Sequence, residues 1–247
     1  MTIHDIIEYT QQIAPYETAA EWDNVGLLVG AEDTKVSRVL LALDITPATI
    51  EEAREKGAEL IISHHPVIFS PLTSLSPDDP VYLMAKYDIA ALCLHTNLDR
   101  AQQGVNTALA EALGLKNTVF YPEEFLLIGD PEEECDAEQY AAIIKKRLNA
   151  PSVRYTDGKV SRVAISSGGG GEGVELAAKY NFDAFITGEL KHHHYLYANT
   201  HGIAAFDAGH FSTEDVVIPP LCKMLEERFP GITFLISEAS VCPYCAV

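Results

Sequence analysis

An apolar run ends in two adjacent histidines, Leu60-Ile61-Ile62-Ser63-His64-His65-Pro66, and far downstream His210 and Glu214 stand four residues apart. Between them Asp99 closes the segment His95-Thr96-Asn97-Leu98-Asp99. Neutral imidazole and carboxylate are ligands for divalent transition ions, and one ion takes three or four of them. The candidates His64, His65, Asp99, His210 and Glu214 exceed that need, which points to two ions. Imidazole with carboxylate accepts Zn, Fe or Mn without choosing among them. Two ions bridged by a carboxylate, with Asp99 and Glu214 as the bridging candidates, would lower the pKa of a shared water and supply hydroxide at neutral pH.

Spacing says how these side chains could meet. Adjacent residues of an extended strand point to opposite faces, so His64 and His65 share a site only if the chain turns there or each faces a different ion. Pro66 helps by holding His65 out of the helical region. His210 and Glu214 fit one face of a helix start. Asp99 fits a metal ligand and equally the N-cap of a helix running from about Gln103 to Leu113. His95, four before Asp99, is placed outside the ligand set as a catalytic candidate that orients a ligand or moves a proton, with a buried structural histidine as the alternative. Glu189 and His193, also four apart, are expected to face substrate, and His192 and His194 to lie on a solvated face.

The elements that must position these residues alternate. Arg38 to Asp44, Glu59 to Ser63 and Ile89 to Leu92 read as buried strands, with a helix over about Pro47 to Lys56. The order recurs 124 residues later in Arg162 to Ser167, a helix from Gly173 to Tyr180, and Asp183 to Thr187, and then, after a spacer ten residues shorter, in Ile203 to Phe206. Strand and helix in alternation imply an α/β fold with a largely parallel sheet, whose ligands gather at the carboxyl ends of the strands. The expected architecture is two similar α/β lobes from an internal duplication, 1–120 carrying His64, His65 and Asp99 and 121–247 carrying His210 and Glu214, with a dinuclear site in the cleft between them. The acidic, turn-rich stretch from Tyr121 to Asp136 reads as a solvated linker.

Two further motifs have plainer readings. Ser166-Ser167-Gly168-Gly169-Gly170-Gly171-Glu172-Gly173 joins a strand to a helix but lacks a dinucleotide or P-loop pattern, so a tight structural turn is favoured over a phosphate cradle. Cys242-Pro243-Tyr244-Cys245 has dithiol spacing, yet a redox pair needs a helix N-terminus that the tail leaves no room for. An odd total of five cysteines argues for reduced thiols.

The chain has 247 residues, 47% of them hydrophobic, enough for one large or two small cores. A formal net charge of −19 opposes a phosphate backbone, so no nucleic-acid partner is expected. No apolar stretch has membrane-span length and the first residues, Met1 to Asp5, lack signal-peptide character, so no membrane association and a cytoplasmic location are expected.

Taken together, Glu21-Trp22-Asp23-Asn24-Val25-Gly26-Leu27, Ser63-His64-His65-Pro66, His95 to Asp99, Thr187-Gly188-Glu189 and Gly209-His210-Phe211-Ser212-Thr213-Glu214 resemble the Nif-three-like family, the GTP cyclohydrolase 1 type 2 homologues. The resemblance implies a two-lobed α/β fold with an internal repeat and a toroidal homohexamer. It also implies two divalent metal ions on His64, His65, Asp99, His210 and Glu214, and it places Trp22 to Gly26 near the cleft entrance. The activity it implies is a metal-dependent hydrolase, with metal-bound hydroxide attacking a nucleotide or other small-molecule substrate at a C–N bond. The competing reading is a non-catalytic metal-binding protein, serving metal storage, delivery or regulation through the same ligands.

Overall fold

The computed structural model describes residues 1–247, and continuous apolar runs form the centres of two mixed sheets, one in each of two units. The first unit is built from Met1–Ala101 and Ile218–Val241. Its strands are β1 (Gly26–Val29), β2 (Arg38–Ala42), β3 (Leu60–Ser63), β4 (Ala90–Cys93) and β13 (Thr233–Ile236), lying in the order β1-β4-β3-β2-β13. All neighbours are parallel except β1 with β4. Every residue of β3 and β4 is buried, as expected of parallel strands covered on both faces. One face of the sheet, Leu40, Ile61 and Ala91, packs on Ile50 and Ala53 of α2 (Pro47–Lys56) and Met84 of α3 (Pro80–Tyr87). α1 (Ile3–Ile13), the short α4 (Thr96–Asp99) and α10 (Ile218–Arg228) complete the unit. α2 starts where Thr46 accepts from the Thr49 N–H and Pro47 fits the first turn, and it stops at Gly57 in the left-handed region.

The second unit comprises Gln102–Val217 and Cys242–Val247. Its sheet, in the order β5-β6-β10-β11-β12-β8, contains β5 (Lys116–Tyr121), β6 (Leu126–Asp130), β8 (Arg154–Tyr155), β10 (Val163–Ser166), β11 (Ala184–Thr187) and β12 (Ala204–Asp207). β10, β11 and β12 are parallel, while β7 (Cys135–Asp136) pairs separately with β9 (Lys159–Val160). Alternate residues divide the core in two. Val163, Ile165, Ala184, Ile186 and Phe206 pack on Leu109 of α5 (Val105–Ala112) and Tyr140 and Ile144 of α6 (Ala137–Arg147). Ala164, Phe185 and Ala205 face α7 (Gly173–Lys179) and α8 (His192–His201). α9 (His210–Glu214) follows β12.

The division differs from the expected 1–120 and 121–247. The stretch read as a linker contains β6, whose Leu126 to Gly129 are buried and pair with β10, so burial overrides the acidic flanks. α5 packs in the second unit's core, and β13 returns the chain to the first unit by pairing with β2. All five cysteines are free thiols, and no helix is long and apolar enough to cross a membrane.

Candidate metal centre

In the first unit the chain bends as it leaves β3, and this bend answers the problem of the adjacent histidines. The rings of His64 and His65 lie 5.0 Å apart, and the His95 ring, from the segment after β4, is 5.2 Å from His64 and 5.6 Å from His65. One nitrogen of each of the three lies within 4.8 Å of the others. Asp99, the last residue of α4, sets its Oδ1 3.7 Å from His64 Nε2. The N-cap alternative for Asp99 falls away, because α5 begins at Val105 behind Gly104.

Each imidazole is held by its Nδ1. The His64 Nδ1 lies 2.9 Å from the Leu94 carbonyl, the His65 Nδ1 2.8 Å from Asp44 Oδ1, and the His95 Nδ1 2.7 Å from Asp23 Oδ1. A carbonyl and a carboxylate only accept, so Nδ1 carries the hydrogen in all three and, in the neutral ring that binds a metal, Nε2 bears the lone pair. This outer ring of acceptors is how proteins orient metal-binding histidines. Asp23 also accepts from the Thr96 N–H at 3.0 Å and from the Thr96 hydroxyl. Burial pushes the Asp23 carboxyl up, but the bonds from His95 and Thr96 outweigh it and bring the pKa down to about 2.

In the second unit His210 Nε2 lies 3.0 Å from Glu214 Oε2 across one turn of α9, and His210 Nδ1 is 2.9 Å from Glu189 Oε1. The glycine-rich turn after β10 folds against this pair. A Cβ on Gly168 would fall 1.8 Å from Glu214 Oε1, and the Gly168 N–H donates to Thr213 Oγ1 at 3.1 Å. Close approach therefore accounts for the glycine, and the turn reads as packing rather than a phosphate cradle. Asp207, at the end of β12, accepts from the Leu190 N–H at 3.1 Å and the Gly209 N–H at 3.3 Å, fixing the residues beside Glu189 and His210.

Of the α8 histidines expected on a solvated face, His192 lies there and His194 does not. His194 is buried and accepts from the Lys191 N–H at 3.2 Å, and burial lowers its pKa, whereas His192 and His193 are exposed. Glu189 lies before the helix, so the spacing of four from His193 does not place the two on one face. The pinning residues Asp23, Asp44 and Asp207 had no assigned role in the sequence. Their one visible signal is an acid at or just past the end of an apolar strand, or beside a tryptophan before one.

The donor set fits divalent transition metals: imidazoles fixed by Nδ1, with the mostly buried carboxylates Asp99 and Glu214. The fold is α/β, and its histidine and carboxylate groups are of a kind that could hold a metal ion. The profile of the Duf34/NIF3 (NGG1p interacting factor 3) family matches residues 1–243, and the chain belongs to that family. A Clostridium perfringens protein named GTP cyclohydrolase 1 type 2 homolog is 29% identical over 259 residues, covering 99% of both chains. A Staphylococcus aureus protein of the same name is 30% identical over 346 residues, covering 93% of this chain and 94% of its own. The crystal structure of a Staphylococcus aureus hypothetical protein superposes with a TM-score of 0.93 at 31% identity, covering 100% of this chain and 99% of that one.

Proposed function

We propose that the chain is a metal-dependent hydrolase acting on a small molecule, in the sense of its relatives named GTP cyclohydrolase 1 type 2 homolog. His64, His65 and Asp99 in the first unit, with His210 and Glu214 in the second, are the proposed ligands of two divalent ions, Zn, Fe or Mn. The observation that carries this reading is that all four of His64, His65, His95 and His210 have Nδ1 tied to an acceptor, which turns Nε2 to one task. When bound, such ions polarise a substrate oxygen and acidify water.

His95 has the same pinned tautomer, and its Nε2 is the proton acceptor of the proposed reaction, oriented by Asp23. Asp44 and Glu189 orient His65 and His210. The recurrence of parallel strand, helix and strand in the two sheets supports reading them as products of a duplication. The homohexamer is carried over from the family resemblance as part of the same proposal.

The test loads purified protein with Mn, Fe or Zn and screens GTP, phosphate esters and cyclic amides against a His65→Ala control. Turnover that depends on His65 and on His95 supports the hydrolase. Metal retained by elemental analysis with no turnover above the control removes it in favour of metal storage or delivery.

A further inference from the structure

Two large aromatic side chains stand in solvent beside the histidine cluster of the first unit. Trp22 is 63% and Phe69 55% exposed, in a chain whose other large rings mostly pack inward. Single exposed apolar residues are ordinary. These two converge: their ring centroids are 6.0 Å apart, and each meets the His95 ring nearly edge-on, Trp22 at 6.1 Å and Phe69 at 6.4 Å.

The chain around them is tied down. Asn24 Nδ2 donates to the Ile68 carbonyl at 2.6 Å, joining the segment of Trp22 to that of Phe69. Asp23 grips His95 and the Thr96 N–H, and the Thr96 hydroxyl accepts from the Ala20 N–H at 2.9 Å. The run Trp22-Asp23-Asn24 thus offers one ring, orients one histidine and anchors one loop. A surface built in advance in this way loses little freedom when a ligand settles on it.

We propose that Trp22 and Phe69 form a wall on which a planar heteroaromatic ring of the substrate stacks, with its edge toward His95. The inference rests on the proposed metal-dependent function and names the substrate class for it. The two rings are inclined at 48° and too close to admit a third between them, so Trp22 supplies a face and Phe69 a rim. Base-on-aromatic stacking tolerates many rings because each has a π-face. The charge of the chain points the same way. At −19 it repels an anionic tail at long range, so the ring is the part of the ligand this surface favours.

Trp22 is the only tryptophan of the chain, so its fluorescence reports stacking directly. The full chain is titrated with guanosine, a pterin and nicotinamide as ring probes, with ribose as the ringless control. Saturable quenching by at least one ring and none by ribose is expected. Calorimetry on Phe69→Ala and Trp22→Leu should show binding weakened by about tenfold or more, and Trp22→Phe should recover most of it. Circular dichroism checks that the variants fold. Absence of saturable binding by all three rings overturns the proposal, as does unchanged affinity in Trp22→Leu and Phe69→Ala. A changed light-scattering mass in those variants with ring binding intact overturns it too, because the rings would then serve self-association. Elemental analysis of the same samples keeps the two readings apart. Neither aromatic residue is a ligand, so metal content should not change. Ring binding by a chain that holds no metal defeats the metal reading alone, and metal without ring binding defeats the wall alone.

Discussion

Replacing Asp23 with Asn removes one charge and leaves the shape, and the consequences can be worked through atom by atom. Asp23 accepts from His95 Nδ1 at 2.7 Å, from the Thr96 N–H at 3.0 Å and from the Thr96 hydroxyl. An amide has a single acceptor oxygen. If that oxygen keeps the Thr96 N–H, the new NH₂ faces His95 Nδ1, which must accept, and the ring proton moves to Nε2. His95 then presents an N–H where it had a lone pair. The fall of the Asp23 pKa from 3.8 to about 2 corresponds to about 2 kcal/mol favouring the ionised form in the folded chain. Because the folded value is depressed, that stability is fully present above pH 3.8 and disappears as the pH falls toward 2. For a chain of this size the loss lowers the midpoint of thermal unfolding by about 4–8 °C near neutrality, and the gap to wild type closes in acid. Nitrogen NMR of the imidazoles reads the tautomer of His95, and calorimetry across pH reads the stability. Turnover, if the proposed reaction holds, should fall about a hundredfold as for loss of a positioned base. An unchanged His95 tautomer together with an unchanged unfolding temperature would refute the reasoning.

Glu52 of α2 binds Lys56 and accepts from the N–H groups of Glu238 and Ala239 and from the Ser237 hydroxyl, and these bonds outweigh burial to bring its pKa down to about 2. Glu52→Gln should therefore cost about 1–2 kcal/mol after solvent screening, a difference present above pH 4.5 and lost toward pH 2 in acid unfolding curves. Gly168→Ala puts a methyl on the Glu214 carboxylate at a φ of +54°, so metal stoichiometry should drop while far-ultraviolet circular dichroism stays near wild type. Glu189→Ala frees the His210 ring from an exposed partner; metal affinity by calorimetry should weaken about 10–100-fold with little change in unfolding temperature. His64→Ala removes a buried donor and should lower bound metal in elemental analysis, and full retention of metal would withdraw His64 from the ligand set.

The continuous apolar runs at Leu60 to Ser63, Ala90 to Cys93 and Ala204 to Asp207 were legible as parallel strands because burial on both faces removes alternation. Their carboxyl ends then placed His64, His65 and His210. Spacing of four sets His210 and Glu214 one turn apart within α9, whereas Glu189 precedes α8 and shares no helix face with His193. The strand Leu126 to Asp130 was hidden by its neighbours: five glutamates around a short apolar core look solvated, although pairing with β10 buries it.

The acceptors behind the histidines were hidden for a different reason, and the register of the sheets explains it. Parallel pairing sets Ala42 beside Ser63, so positions two past each strand end, Asp44 and His65, come together and bond at 2.8 Å. In the second sheet Thr187 pairs with Asp207, and Glu189, two past its strand end, meets His210, three past the other. A linear sequence shows each acid and each histidine alone, because nothing local fixes which strands are neighbours. Once the order β4-β3-β2 is known, the Asp44–His65 bond follows from counting past the strand ends, and the order β10-β11-β12 brings Glu189 and His210 to neighbouring strand ends. Asp23 and His95 do not follow from such counting. They are 72 residues apart, β1 runs antiparallel to β4, and Gly26 at the start of β1 pairs with Cys93 at the end of β4. That antiparallel edge brings the segment before β1 to the carboxyl end of β4, and with it the tryptophan, the aspartate and the asparagine that together frame His95.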